Sequence, residues 1–136
     1  MLGQNLGQLK LPLSERQAQN LIKVCYPSSY GQHLTRILDI FVRDSFELEP
    51  HQFKIKNLDW QIKINMLAKR AFYHMKPSGT EDLEIYAELH KMILYKKNGH
   101  FMRHKDNVLK DKHMFGTLVV QLPSEYTGGE FITLMV

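Results

Sequence analysis

Residues 99–131 read GHFMRHKDNVLKDKHMFGTLVVQLPSEYTGGEF, and the reading of this stretch decides the fold. A run of β-branched and apolar residues over 117–122, bounded by Gly116 and Pro123, predicts a strand. Alternation along such a strand puts Thr117, Val119 and Gln121 on one face, with Leu118, Val120 and Leu122 on the other. Gly128 and Gly129 suit a tight connection with positive φ. Upstream, Asn98-Gly99 is a turn signal. His104 and Asp106 stand two residues apart, which on a strand points both side chains the same way. One imidazole with one carboxylate suits Fe(II), Mn(II) or a similar borderline cation. The triplet alone is weak evidence, because Arg103, Lys105, Lys110 and Lys112 would equally surround two solvated polar residues.

Outward from this stretch the pattern changes. Towards the amino terminus, residues 1–13 carry Gln and Gly with no firm period and read as a loose lead-in. LSERQAQNLIKVCY, residues 13–26, reads as a helix. Ser14 and Gln17 form a capping-box pattern, and Ala18, Leu21, Ile22 and Cys25 fall on one side. Residues 32–53 are ambiguous, with a strand favoured over roughly 38–48 and ended before Pro50. NLDWQIKINMLAKRAFYHM, residues 57–75, is a clearer helix, capped by Asn57 or Asp59, with Ile64, Leu67, Ala68 and Ala71 on its apolar side. EIYAELHKMILYKKNGHF, residues 84–101, is rich in β-forming residues, and FITLMV ends the chain as a strand interior. Helices first and strands second is an α+β order. A sequence that stops inside a strand leaves an unpaired edge, so the expectation is an incomplete fold prone to self-association through strand edges.

Composition bounds the function classes. At 136 residues with 43% hydrophobic and 24% charged residues, the chain is one ordinary globular domain or part of one. Its net charge is +4, but the 18 Lys and Arg residues are dispersed, which disfavours nucleic acid as a partner. No 18-residue apolar run and no signal-peptide core is present, so no membrane partner is expected and a cytoplasmic or nuclear location is the simplest reading. Cys25 is the single cysteine, which excludes an internal disulfide and reads as a core residue rather than a nucleophile.

Taken in order, Tyr95, Gly99, Phe101, His104, Asp106, the run 117–122 and Gly128-Gly129-Glu130 resemble the 2-oxoglutarate- and Fe(II)-dependent dioxygenases, especially prolyl 4-hydroxylase-like domains. VRDSFELEP, residues 42–50, is similar to the amino-terminal part of such proteins. The resemblance implies a double-stranded β-helix, or jelly-roll, of which this chain would be the amino-terminal portion. Residues 14–84 would be a mainly helical support region, and 85–136 the first barrel strands of a single partial oxygenase domain. It further implies Fe(II) on His104 and Asp106, and 2-oxoglutarate as co-substrate beside Tyr95, Thr117 and Gln121. The substrate would be a protein prolyl side chain or a small molecule.

The family's second histidine ligand, and the Arg or Lys that pairs with 2-oxoglutarate, have no matching position in this sequence, so weak or no turnover is expected of it. His100 shares a face with His104 on an unbroken strand and is the makeshift candidate for a third ligand. Two other functions remain open: a non-catalytic truncated product, and a divalent-metal-binding or interaction module without redox chemistry.

Overall fold

The structure is a computed structural model and describes residues 6–32, 35–75, 83–104 and 114–132. Its first helix, α1 (Glu15–Ile22), begins where the capping box predicts. Ser14 accepts the Gln17 amide through Oγ at 3.4 Å, and the Gln17 side chain accepts the Ser14 amide in return. An N-cap of this kind contributes about 1 kcal/mol. Leu21 is buried beneath the helix, with Ala18, Ile22 and Cys25 half-buried on the same side.

Strands come earlier than the helices-then-strands order predicts. Among the described residues, five short ones lie between this helix and the next: β1 (Tyr26–Pro27), β2 (Tyr30–Gln32), β3 (Thr35–Ile37), β4 (Arg43–Asp44) and β5 (Phe46–Leu48). The continuous strand expected over 38–48 is broken at its start. Asp39 Oδ1 accepts the Phe41 amide at 2.9 Å, and the Asp39 carbonyl accepts from Val42 and Arg43. That local turn competes with a ladder, as aspartate side chains commonly do. A 3-10 turn over Pro50–Gln52 then closes the strand region.

The second helix, α2 (Trp60–Met75), follows an Asn57 turn in which Oδ1 accepts the Asp59 amide. Its buried stripe runs through Ala68 and Phe72, with Ile64 and Ala71 half-buried; Leu67, expected on that side, is half exposed. Gln61 and Asn65 on this helix hold the extended segment 83–90 by its backbone, through Gln61 Nε2 to the Ala87 carbonyl at 2.7 Å and the Ala87 amide to Asn65 Oδ1 at 2.9 Å. Side-chain amides supply those partners, so within the β-forming stretch 84–101 residues 84–91 are irregular.

Two more strands complete the ladders, β6 (Met92–Leu94) and β7 (His100–Phe101). The turn at Asn98-Gly99 does not make them a hairpin. β6 pairs with β5 (Phe46 opposite Leu94), whereas β7 pairs with β4 (Arg43 opposite Phe101, Asp44 opposite His100), and all pairs are antiparallel. Residues 95–99 are therefore an excursion thrown out of one long ribbon, opposite Ser45. β1 pairs on the other side of β5, and the Ser28 amide reaches the Ser45 carbonyl at 2.8 Å. β2 and β3 form a separate antiparallel pair. The architecture is mixed α+β with small antiparallel sheets, and among the described residues these sheets do not close into a barrel.

The strand expected over 117–122 is the largest departure. Residues 114–132 have no ladder among the described residues and touch the remainder through a bridge between Leu13 and Ser124 and through Phe115. A β-forming sequence becomes a strand only with a partner to receive its N–H and C=O groups. The apolar core is correspondingly small, with Leu21, Leu48, Ala68 and Phe72 its buried members among the described residues.

Candidate metal centre

His104 is positioned by the β4–β7 ladder. The pairing continues one step beyond the strands, with the Met102 amide donating to the Val42 carbonyl at 2.8 Å. The chain then bends at Arg103, so His104 lies past the strand rather than within it. Its imidazole stacks on Phe101 with ring centroids 3.6 Å apart and planes 21° from parallel. Phe101 also takes the Arg43 guanidinium from the opposite strand, 4.5 Å from its centroid. Phe101 thus links His104 to Arg43 on β4.

A hydrogen bond of the ring to its own backbone assigns the tautomer of the neutral form. Nδ1 of His104 lies 2.8 Å from the Met102 carbonyl oxygen, which can only accept. The proton of a neutral ring therefore sits on Nδ1, and Nε2 carries the lone pair. A backbone carbonyl holding the far nitrogen in this way is the usual support of a metal-ligating histidine. The donor chemistry of His104 fits Fe(II).

His100 does not fit. Its Nε2 lies 3.1 Å from the Phe41 carbonyl oxygen and its Nδ1 3.4 Å from that of Asn98. Both nitrogens face carbonyl oxygens, so neither is directed at a cation. The bend at Arg103 also removes the unbroken strand on which His100 and His104 would share a face. Asp106, the second expected ligand, lies outside the described residues. Among the described residues, no group of three or more His, Cys, Asp or Glu side chains is close enough to hold a metal ion.

The expected co-substrate residues fall on separate pieces of the chain. Tyr95 is half exposed where β6 gives way to the 95–99 excursion. Thr117 and Gln121 are exposed on the 114–132 segment, which is bridged to Leu13 and carries no ladder to β6 or β7. Gln121 donates through Nε2 to the Tyr126 hydroxyl at 2.5 Å. Gly128 and Gly129 have φ of 69° and 71°, in keeping with the tight connection expected there.

A polar stripe was not foreseen. Arg43, Ser45 and Glu47 alternate along β4 and β5, and all three are buried, as is Ser28 beside them. The alternation R-x-S-x-E within VRDSFEL was the available signal, but period-two polar residues ordinarily mark a solvated face. Glu47 is neutralised by Lys91, whose Nζ lies 2.9 Å from Oε2.

No family model matches this chain, and neither a curated protein nor a solved structure matches it. No helix among the described residues is long and apolar enough to cross a membrane.

Proposed function

We propose that the chain provides the iron-binding strands of a 2-oxoglutarate- and Fe(II)-dependent dioxygenase of the prolyl 4-hydroxylase-like kind, on a jelly-roll framework. The order of Tyr95, Gly99, Phe101, His104 and Asp106 supports this reading. The observation that carries it is the His104 hydrogen bond to the Met102 carbonyl, which places the proton of a neutral ring on Nδ1, the tautomer of a histidine that ligates through Nε2. When bound, Fe(II) couples oxidative decarboxylation of 2-oxoglutarate, by O2, to conversion of a substrate C–H bond into C–OH. His104 and Asp106 would hold the cation. Phe101 would fix the plane of the His104 ring, and Tyr95 would offer a hydroxyl to the co-substrate.

Two protein ligands hold a cation loosely, so binding is a better first readout than turnover. Mn(II) serves as a redox-silent probe of the full chain, followed by loss of the free-ion electron paramagnetic resonance signal. The expected result is saturable binding that weakens at least tenfold in His104→Ala and in Asp106→Ala, and that tightens when 2-oxoglutarate is added. Equal binding by the variants and the parent would remove the metal centre. Binding that ignores 2-oxoglutarate, with no succinate formed from it in the presence of Fe(II), would leave a divalent-metal module and defeat the oxygenase reading.

A further inference from the structure

The positive charge of this chain is concentrated in one place. Of its 18 basic and 14 acidic residues, Lys54, Lys56, Lys63, Lys69 and Arg70 lie within residues 54–75, where Asp59 is the single acid. The rest of the chain holds thirteen of each sign, so the whole net charge of +4 belongs to α2 and the segment that leads into it. Along the sequence these cations never form a run, but three of them meet on one helix that carries no acid. α2 is fixed on its inner side, where Ala68 and Phe72 are buried and Gln61 and Asn65 hold the 83–90 segment.

The outward side of the helix is not polar throughout. Ile62 is 62% exposed and Met66 66%, and their spacing of four stacks them on one face; Tyr73 continues that line at 46%. At about 100° per residue, Lys69 falls on one flank of this strip, and Lys63 and Arg70 on the other. Asp59 reaches Lys63 only at 4.0 Å, with both side chains well in solvent, so it neutralises little of the charge.

An apolar strip flanked by cations selects its partner. Nucleic acid matches the charge but leaves Ile62 and Met66 without a role. A protein partner would cover the apolar side chains, yet four of the five cations are lysine, which the buried centre of protein interfaces avoids. An anionic bilayer surface takes both. Apolar tips enter the headgroup boundary, and lysine stems lie along it with their ammonium groups at the lipid anions. Such a contact needs no spanning segment.

We propose that α2 seats the protein on an anionic membrane surface through Ile62, Met66, Lys69 and Arg70. None of these is a candidate iron ligand, so the proposal stands whether or not the chain binds metal.

The test is co-sedimentation of the full chain with sucrose-loaded vesicles of phosphatidylcholine, alone or with about 30% phosphatidylserine. A vesicle-free control subtracts self-association. The expected result is saturable binding to the phosphatidylserine vesicles alone, weakening as salt is raised. Each cation near such a surface contributes about a fivefold factor, so Lys69→Gln/Arg70→Gln should weaken binding about thirtyfold. Ile62→Gln/Met66→Gln keeps the charge and should weaken it about tenfold or more. All four side chains are exposed, so both variants should unfold at the parent's urea midpoint. Lys23→Gln/Lys97→Gln removes the same charge from other elements and should change binding far less. Equal binding to both vesicle types would overturn the proposal, as would an equal loss in the Lys23/Lys97 variant. Unchanged binding by the Ile62/Met66 variant would reduce the contact to charge alone and overturn it too. No binding to either vesicle would return this face to a protein partner.

Discussion

Glu47 is the residue whose burial most constrains the sheet. Its side chain is 8% exposed and its partner Lys91 13%, at 2.9 Å, so both charges have left water and depend on each other. Removing one member of such a pair strands the other and costs about 3 kcal/mol or more, whereas replacing both by apolar groups of similar volume is much cheaper. Glu47→Gln is expected to lower the urea midpoint by that free energy divided by the slope, the slope itself unchanged, and the double variant Glu47→Leu/Lys91→Met to recover most of it. An equal loss in both would mean that the pair contributes packing alone. Cys25 makes a second residue-scale test. Burial raises its thiol pKa above the ordinary value, so the folded state favours the protonated form. The associated stability is fully present below the unfolded thiol's pKa and is lost as pH rises through the folded one. Iodoacetamide labelling of the folded chain should therefore accelerate at a higher pH than labelling of the urea-unfolded chain. Coincident pH profiles would remove the burial effect.

At the scale of elements, the 95–99 excursion decides how the sheet is assembled. Asn98 adopts φ of 65°, and the Gly99 amide closes back on the Lys96 carbonyl at 2.8 Å. A Cβ on Gly99 would stand 2.8 Å from the carbonyl oxygens of Asp44 and Lys96, both backbone atoms that cannot swing aside. Gly99→Ala is thus expected to cost roughly 1–3 kcal/mol and to loosen the Asp44–His100 pairing. Amide exchange at Met102, which donates to Val42, would report it, and unchanged protection there would show that the excursion yields without cost. This element also shows what could be read from the residues in advance. The Ser14–Gln17 cap, the Asn98-Gly99 turn and the positive φ at Gly128 and Gly129 depend on neighbours a few positions away, so their chemistry is written locally. The pairing of Phe46 with Leu94 joins residues 48 apart in sequence, and nothing local distinguishes it from an Asn98-Gly99 hairpin. The run at 117–122 has strand composition but no ladder, because propensity cannot supply a partner. Of the candidate site, His104 could be chosen from its spacing to Asp106, but the Phe101 stack and the Arg43 contact behind it come from register alone.

For the whole molecule, the question is how 114–132 is held. Its described attachments are slender: Phe115 meets the Phe72 ring edge-on at 4.9 Å, and the Leu13 amide donates to the Pro123 carbonyl at 2.9 Å. Val119, Tyr126, Phe131 and Ile132 remain well exposed along it. Phe72 is itself a buried core member, so the Phe115 contact is where this segment joins the hydrophobic core. An edge-to-face pair contributes about 0.5–1.5 kcal/mol beyond the area it buries. Loss of the Phe115 ring should therefore make local release of the segment easier by about 1.5–3 kcal/mol. Where opening is fast relative to cleavage, proteolysis tracks the open population, and 1.4 kcal/mol corresponds to a factor of ten. Phe115→Ala is accordingly expected to raise the rate of chymotryptic cleavage after Tyr126 about ten- to a hundredfold. Cleavage after Tyr73, on α2, should change far less. Phe115→Leu, which keeps apolar area but not the ring geometry, should fall between the two. A parallel rise at Tyr73 would mean that Phe115 supports the whole core, and an unchanged rate at Tyr126 would mean that the Leu13 bridge alone holds the segment.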